Sequence, residues 1–382
     1  MIAIPRVTVL MTVHNGLPYL KDSLKSLLRQ TFCDFELLIV DDASTDDSVE
    51  FVRTLQDPRI RLVENPKNLG QAASLNKGLS LSTSPYVARL DQDDVCEPDR
   101  LKLQLAYLKA HPEMVACGSW ITWMDAKGRR IGIAGFPVED YGSFLGLLLG
   151  QTTPVAHPTV LIRTRAIKAL GGYDTSFSPC EDYNLWCRLA ERRMSVGVLP
   201  RPLLRLRLHD GQQSFRKLDI QRGHAKRAHL RLIESFSSSE VAPALSALLQ
   251  MDNGFWAQCS SAASVRSVCR NLSSMLERIV QEKKLTLQEN RQLTRWVSGW
   301  LARSAFLGIL QKRGSSIWVY RLACRLGFPP PFGLPLAAYP AAFLLSPFFF
   351  LEPIRKGVFL LVWWVSRTRY LARLAWNSLK TS

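Results

Sequence analysis

One stretch decides the fold: residues 86–94 read YVARLDQDD, an apolar segment that ends in two carboxylates one residue apart, Asp91 and Asp93. On the turn that leaves a buried strand, such carboxylates place oxygen ligands at the edge of a sheet. There they can hold a hard cation that itself binds a phosphate. The stretch therefore predicts a strand that is followed by a site for a nucleotide diphosphate.

The same alternation extends over the first hundred residues. Short β-rich runs are separated by roughly ten-residue amphipathic segments, a pattern typical of βαβ units and of a mostly parallel sheet in an α/β fold. The predicted strands are 7–11, 35–40, 60–63 and 86–90, and the predicted helices are 17–28, 48–55 and 72–81. Ligands of such sheets lie beyond the carboxyl ends of the strands. Asn15, Asp41-Asp42 and Asp91 all follow their strands on that edge.

Two common nucleotide-binding signatures are missing from this chain. The turn after the first strand, residues 11–16, reads MTVHNG and lacks the second and third glycines of a dinucleotide fingerprint, and no Walker lysine loop occurs. The pattern becomes mixed between residues 100 and 210. From 214 to 312 it is helical and basic, which predicts a separate helical region.

The positive charge is concentrated in the C-terminal part. The chain carries a net charge of +17, yet residues 1–210 hold 25 Lys and Arg against 24 Asp and Glu. A cationic C-terminal part indicates an anionic partner such as lipid headgroups or nucleic acid. Since no nucleic-acid-binding module is recognisable, we expect no nucleic acid as partner.

The eight cysteines are scattered, without a Cys-x-x-Cys pair, and predict reduced thiols in a cytoplasmic setting. The N-terminus reads as a first strand rather than a signal peptide. Residues 326–351 carry one uncharged run with six prolines, and Arg, Lys, Trp and Tyr residues follow it. This run could be a transmembrane helix, a buried core or a monotopic anchor, and the prolines and flanking residues favour the anchor. We therefore expect a peripheral protein on the inner face of the cell membrane, bound to an anionic surface.

The order of motifs carries a family resemblance over residues 6 to about 215. The motifs are Val7–Thr12 with Asn15, Glu36–Asp46, Asn68–Gly70 with Asn76, Asp91–Asp94 with Pro98, Gly171–Asp174 and Glu181–Trp186. Together they resemble the inverting glycosyltransferases of family 2, which have a GT-A fold. The resemblance implies a catalytic domain over 1–213, with a nucleotide-binding half over 1–98 and an acceptor half over 99–213. The helical basic region would then cover 214–313, and the membrane-associating tail 314–382.

The resemblance also implies the reaction. Such an enzyme moves a sugar from a nucleotide-diphospho-sugar, here UDP- or dTDP-linked, to an acceptor hydroxyl with inversion. The acceptor would be a glycan or a lipid-linked glycan in the assembly of cell-surface polysaccharide or lipopolysaccharide. A divalent cation, Mn²⁺ or Mg²⁺, stabilises the leaving diphosphate as a Lewis acid in this chemistry.

The family motif also implies which residues bind the metal and which residue acts as the catalytic base. Asp93 would ligate the metal, Asp91 would lie near the ribose or a metal-bound water, and His209 would lie near the diphosphate and the metal. Asp182 would be the general base, with Glu181 raising its basicity or orienting the acceptor. The alternatives are a solvated acidic turn for the first pair, a helix N-terminus with two favourable acids for the second, and a structural histidine.

The resemblance also implies which residues line the nucleotide pocket. Asp42 would accept the imide hydrogen of uracil or thymine, and three residues after the first strand would line the same pocket. The full set of predicted nucleotide-sugar-binding residues is Thr12, His14, Asn15, Asp42, Asn68, Gly70, Asn76 and Asp91. His14 stands where the family has a tyrosine, which affects how the base is stacked. Alternatively, residues 41–46 only cap the next helix.

Two other classes of protein compete with the enzyme. A non-catalytic sugar-nucleotide sensor or scaffold would keep the pocket without turnover. A signalling receiver domain is suggested only by Ile39–Asp42, and it would leave the later acidic motifs unexplained.

Overall fold

A computed structural model describes residues 4–212, 217–250, 255–256, 259, 261–310 and 315–326. The predicted alternation of strands and helices is present in its first hundred residues. The strands there are β1 (Val7–Val13), β2 (Phe35–Asp41), β3 (Ile60–Glu64) and β4 (Tyr86–Arg89), and the helices are α1 (Leu20–Leu28), α2 (Ser48–Thr54) and α3 (Gln71–Leu81). β1 and β2 are buried along almost their whole length, as expected for strands covered on both faces.

The second half of the fold adds shorter and more irregular elements. Its strands are β5 (Val95–Cys96), β6 (Met114–Met124), β7 (Arg130–Ala134), β8 (Leu161–Arg163) and β9 (Ser195–Arg207). Its helices are α4 (Arg100–Ala110), α5 (Tyr141–Leu149), α6 (Thr164–Ala169) and α7 (Glu181–Glu191). Within the described residues the strands form one sheet in the order β3-β2-β1-β4-β8-β6-β9-β5, with β7 beside β6.

The prediction of a mostly parallel sheet holds for the first four strands only. β3, β2, β1 and β4 are parallel, but β8 runs antiparallel to both of its neighbours, β4 and β6. β6 and β9 are parallel again, whereas β5 and β7 are antiparallel edge strands. The sheet is therefore mixed, because the chain after residue 110 no longer makes regular βαβ crossovers.

Helices follow β9, as the basic composition of this part predicts. They are α8 (Leu218–Glu234), α9 (Ala242–Leu249), α10 (Ala262–Glu282), α11 (Leu287–Leu310) and α12 (Ser316–Arg325). α11 packs closely against α5 because glycines remove the side chains between them. A Cβ at Gly142 would lie 1.9 Å from the carbonyl oxygen of Glu289. Trp300 donates from Nε1 to the carbonyl of Gly146 at 3.0 Å.

Most of the predicted membrane-associating tail, 314–382, lies outside the described residues. In its first part the structure describes α12, which packs with α10 and α11. No helix in the described part of the chain is both long enough and apolar enough to cross a bilayer.

Candidate active site

The loops after β1 and β2 are joined by Asn15. Its backbone has a positive φ of 50°, a conformation that asparagine tolerates better than most residues. Its Oδ1 accepts from the backbone of Thr45 at 2.8 Å and of Asp46 at 3.3 Å, and its backbone N–H donates to Ser44 Oγ at 3.0 Å. The side chain predicted to line the nucleotide pocket therefore holds the loop 44–46 in place.

Asp42 is buried at the end of β2 and receives three hydrogen bonds. Its Oδ1 accepts from Leu69 N and from Asn65 Nδ2, both at 2.8 Å, and its Oδ2 accepts from Gly70 N at 2.8 Å. Burial alone would raise the pKa of Asp42, but the hydrogen bonds from Leu69, Asn65 and Gly70 outweigh it and lower the pKa. Asp42 stays ionised and fixes the loop that leads into α3.

Asn68 and Asn76 flank this loop. Asn68 is exposed and accepts from Gly70 N at 3.1 Å, next to a φ of +86° at Gly70. The amide of Asn76 makes two hydrogen bonds with the backbone of Tyr173, donating to its carbonyl and accepting from its N–H, each at 2.8 Å. Asn76 thus ties α3 to the loop before α7, a role that the sequence did not reveal.

His14, another residue predicted to line the nucleotide pocket, is positioned by Gln92. The Gln92 amide accepts from His14 N at 2.9 Å and donates to His14 O at 3.2 Å. Nδ1 of His14 lies 3.0 Å from the carbonyl oxygen of Asp42, and the ring remains exposed. The middle residue of the Asp-Gln-Asp motif therefore joins the ends of β1 and β4.

Three carboxylates converge directly after β4. Oxygens of Asp91, Asp93 and Asp94 all lie within 4.8 Å of one another. Asp94 is buried; its Oδ1 accepts from Arg207 N at 3.0 Å, while its Oδ2 has no hydrogen-bond partner among the described residues. Burial and then the charges of Asp93 and Asp91 raise the pKa of Asp94 well above its usual value. Crowded oxygen ligands with an unpaired lone pair fit a hard divalent cation.

His209 joins this cluster from the end of β9. Its Nε2 lies 2.8 Å from Oδ2 of Asp93, and its ring packs against Tyr19 with centroids 4.6 Å apart. The structure therefore brings together the two residues predicted as metal ligands. It adds Asp94 to the candidates, which the sequence showed as part of the motif but which we had not assigned to the metal.

The second acidic pair begins α7. Cys180, the preceding residue, has a φ of +132°, a rare and costly backbone conformation for a residue other than glycine. Glu181 is buried and accepts from Cys180 N at 3.1 Å, and Asp182 accepts from Tyr183 N at 2.7 Å. Burial, and then the Glu181 carboxylate, raise the pKa of Asp182 to about 7, with Asp91 contributing in the same direction. The charge of Asp91 thus acts on Asp182, which links the two acidic turns electrostatically.

Comparison with known proteins identifies the class of this site. A model of glycosyl transferase family 2 matches residues 8–169. EpsE of Bacillus subtilis, whose name assigns it glycosyltransferase activity provisionally, is 34% identical over 209 residues, which cover 53% of this chain and 73% of EpsE. The chain belongs to glycosyltransferase family 2. A receiver domain is thereby excluded.

Two further relatives extend the comparison. The amylovoran biosynthesis glycosyltransferase AmsE of Erwinia amylovora is 33% identical over 194 residues, 49% of this chain and 70% of AmsE. The structure of S. aureus TarS 1–349 matches 87% of this chain and 94% of that chain, with a TM-score of 0.52 and 16% identity. The same protein with UDP matches with a TM-score of 0.50 and 17% identity. The GT-A-like fold predicted for this family 2 glycosyltransferase is confirmed.

Arg89 is a residue of the site that the sequence did not single out. Only 4% of it is exposed; it forms an ion pair with Asp91 and lies 3.4 Å from Thr12 Oγ1, while its Nε has no partner among the described residues. Burial raises the pKa of Asp91, and Arg89 opposes this shift. A basic residue inside an otherwise apolar strand was the available signal for this role.

His157 packs in the interior beside Tyr173. It is buried, and its Nε2 lies 2.8 Å from the hydroxyl of Tyr173. Burial and then the charge of Arg89 lower the pKa of His157 well below its usual value, so its ring stays neutral at physiological pH. It supports Tyr173, whose backbone is held by Asn76.

Proposed function

We propose that this family 2 enzyme transfers a sugar from a UDP- or dTDP-linked donor to an acceptor hydroxyl with inversion, and that it requires Mn²⁺ or Mg²⁺. One observation carries the proposal: the carboxylates of Asp91, Asp93 and Asp94 converge in a cluster that could hold a metal ion. The charge of Asp91 also acts on Asp182, whose pKa is raised to about 7 by burial and then by Glu181. An acidic cluster suited to a cation and a separate poised base are what this transfer needs.

Asp93, Asp91, Asp94 and His209 would hold the cation. All are hard oxygen or borderline nitrogen ligands, and the unpaired Oδ2 of Asp94 fits this assignment. A bound divalent ion supplies Lewis-acid stabilisation of the leaving diphosphate. Arg207 holds the cluster in place, because its backbone N–H donates to Oδ1 of Asp94 and its Nε donates to the carbonyl of Asp93.

Asp182 would remove the proton of the acceptor hydroxyl. A base works best when its pKa lies near the working pH, since it is then both deprotonated and still basic. Burial, and then repulsion from the like charge of Glu181, raise the pKa of Asp182 to about 7. In this assignment the proton of the acceptor hydroxyl moves to a carboxylate oxygen of Asp182. The acceptor oxygen forms a bond to the anomeric carbon of the sugar, and the bond from that carbon to the nucleotide diphosphate breaks, so that the diphosphate leaves.

The donor would bind between the ends of β1, β2 and β4. Asp42, with Thr12, His14 and Asn15, would surround the nucleobase, and Asn68, Gly70 and Asn76 would lie on the far side of the pocket. The UDP complex of TarS, a protein of the same fold, supports a pyrimidine nucleotide. The name of AmsE supports a role in polysaccharide assembly, with a glycan or lipid-linked glycan as acceptor.

The basic tail would hold the enzyme on the inner face of the membrane. Its support is the sequence alone: net positive charge and a proline-broken apolar run followed by aromatic residues. Removing 327–382 should release the protein from anionic vesicles while α12 stays intact. Equal sedimentation of both proteins with such vesicles would contradict the anchor.

Turnover of a panel of sugar nucleotides tests the enzyme directly. We expect release of the nucleotide diphosphate from at least one UDP- or dTDP-sugar in the presence of Mn²⁺, and the anomeric configuration of the product by NMR should be opposite to that of the donor. Retained configuration would contradict inversion. Tight donor binding without any turnover, with or without acceptor glycans, would favour the sensor or scaffold instead.

A further inference from the structure

A cleft with cationic walls lies beside the acidic turn. It has a volume of about 330 Å³ and lies between α1, β5, β9 and the turn that joins β6 to β7. Four of its lining side chains are cationic, Lys25, Arg29, Arg205 and Arg207, and one, Asp22, is anionic. We call this cleft the cationic groove. It shares no residue with the predicted donor, metal or base positions.

The cations converge because two different elements present one face to the groove. Lys25 and Arg29 are four residues apart, which places them on the same side of α1. Arg205 and Arg207 are two residues apart on β9, which places them on the same face of the sheet. Ser26 Oγ accepts from the backbone of Cys96 at 3.0 Å and fixes α1 above β5.

The charges of the groove are only partly compensated. Arg207 is buried, and its side chain is paired with Asp22 at 3.1 Å and with the carbonyls of Asp93 and Ala126. Arg205 lies 3.1 Å from Glu97. The side chains of Lys25 and Arg29 are exposed, and no hydrogen bond or ion pair joins them to any described residue.

The helix dipole explains only part of this arrangement of cations. Lys25 and Arg29 lie at the C-terminal end of α1, where cations complement the helix dipole. That explanation says nothing about Arg205, which comes from another element and lines the same space. Repulsion between converging cations is tolerated most easily where an anion joins them.

We propose that the cationic groove binds a phosphate monoester on a small soluble organic molecule, such as a sugar phosphate. The groove volume of about 330 Å³ is roughly ten times the ~30 Å³ that one water molecule occupies in the liquid, so the groove has room for more than a phosphate group. Val95 and Met124 supply apolar surface for an organic part. Lys25 and Arg29 supply free ammonium and guanidinium donors for a dianion, a pairing that gives strong charge-assisted hydrogen bonds.

Occupancy of the groove would also reach the acidic turn. Arg207 lines the groove with its side chain, while its Nε donates to the carbonyl of Asp93 at 3.0 Å and its N–H donates to Asp94 at 3.0 Å. An anion that draws the guanidinium of Arg207 toward the groove therefore acts on the backbone that carries two candidate metal ligands.

Calorimetric titration of glucose 1-phosphate into the full-length protein in EDTA separates this site from the donor site. Without a divalent cation the carboxylates of the active site repel phosphate, so binding in EDTA reports the groove. We expect one bound molecule per chain. The pair Lys25→Gln with Arg29→Gln should weaken binding by roughly tenfold or more, as expected for lost charge-assisted hydrogen bonds.

The matched control is the pair Lys102→Gln with Lys109→Gln on α4, which removes the same net charge away from the groove and should leave the affinity unchanged. Absence of binding in EDTA, unchanged binding by the groove pair, or equal weakening by both pairs would overturn the proposal. Binding only to vesicles that contain phosphatidic acid, lost in the groove pair, would place the phosphate on a lipid and overturn the soluble ligand.

Discussion

The polar side chains of the nucleotide pocket and those of the acidic turns are used in opposite ways. Asn15, Asp42 and Asn76 make hydrogen bonds with backbone groups of neighbouring loops. Oδ2 of Asp94 has no hydrogen-bond partner among the described residues, and the pKa values of Asp94 and Asp182 are raised by burial and by other carboxylates. The first set is arranged for stability. The second set consists of carboxyl groups whose ionised forms are destabilised by burial and by like charges.

This difference predicts different consequences for substitution. Loss of a pocket side chain should cost folding stability, because it leaves backbone groups without partners. Loss of an acidic side chain should cost activity while leaving the fold as stable as before or more so. The next three predictions follow the expected size of the effect.

Asp182→Asn should reduce transfer by roughly two to four orders of magnitude, the range for removing general-base catalysis, and leave donor affinity unchanged. The amide keeps the shape of the side chain but cannot accept the proton. Single-turnover kinetics and donor titration on the same preparation measure both. Collapse of donor affinity with persisting turnover of bound donor would make Asp182 a binding residue and place the base elsewhere.

Asp93→Ala should weaken Mn²⁺-dependent donor binding by roughly two orders of magnitude. The reason is that the cation contributes several kcal/mol of electrostatic stabilisation to the negatively charged diphosphate. Calorimetric titration at fixed Mn²⁺ measures the loss. Asp219→Ala, an exposed carboxylate on α8, is the control and should bind as the wild type does. Undiminished binding by Asp93→Ala at limiting Mn²⁺ would remove Asp93 from the site.

Asn76→Ala should lower the free energy of unfolding by about 1–3 kcal/mol, since two backbone groups of Tyr173 lose their partner. Urea unfolding measures this loss, and Gln288→Ala, an exposed amide on α11, should change stability little. A stable Asn76→Ala protein that binds donor poorly would reverse the distinction between the two sets.

Comparison of these sets also shows what the sequence could and could not predict. The parallel strands β1, β2 and β4 were predictable because a strand buried on both faces reads as a continuous apolar run. Asp91, Asp93 and Asp182 were predictable because the motif order is specific to the family. The pairing of Asn76 with Tyr173 was not, because it joins residues 97 positions apart and no local pattern encodes it.

The same limit applies to charged residues in strands. Arg89 and Arg207 occupy positions where a strand pattern calls for apolar side chains, and their meaning appears only once the acidic turn lies beside them. The antiparallel insertion of β8 between β4 and β6 was not predictable from a local sequence pattern either. Three residues, Leu161–Arg163, form that strand, too few for a periodic signal.

The pH dependence of transfer should follow the carboxyl group of Asp182. Its pKa of about 7 predicts that kcat/KM falls about tenfold per pH unit below 7 and levels off above it. Glu181→Gln removes the like charge and should move this limb to lower pH. An unchanged limb in Glu181→Gln would show that another group titrates.

The same carboxyl group should also make stability depend on pH. A carboxyl whose folded pKa is raised binds protons that the unfolded chain has released, so it lowers stability as the pH rises from about 4 to about 7. In metal-free buffer Asp182→Asn should therefore be more stable than the wild type at pH 8 by up to about 4 kcal/mol, since the pKa difference between the folded and unfolded states is about three units, and the difference should vanish near pH 4. Equal stability at both pH values would show that Asp182 is not strained.

Thermal unfolding of the wild type with a UDP-sugar, at increasing Mn²⁺, tests the central claim most directly. A ligand that binds only the folded state raises the unfolding temperature with its concentration. If the acidic cluster is a cation site that receives the diphosphate, the sugar nucleotide and Mn²⁺ together should raise Tm well beyond the sum of their separate effects, and EDTA should abolish the rise. A sugar nucleotide that stabilises the protein equally in Mn²⁺ and in EDTA would contradict the account.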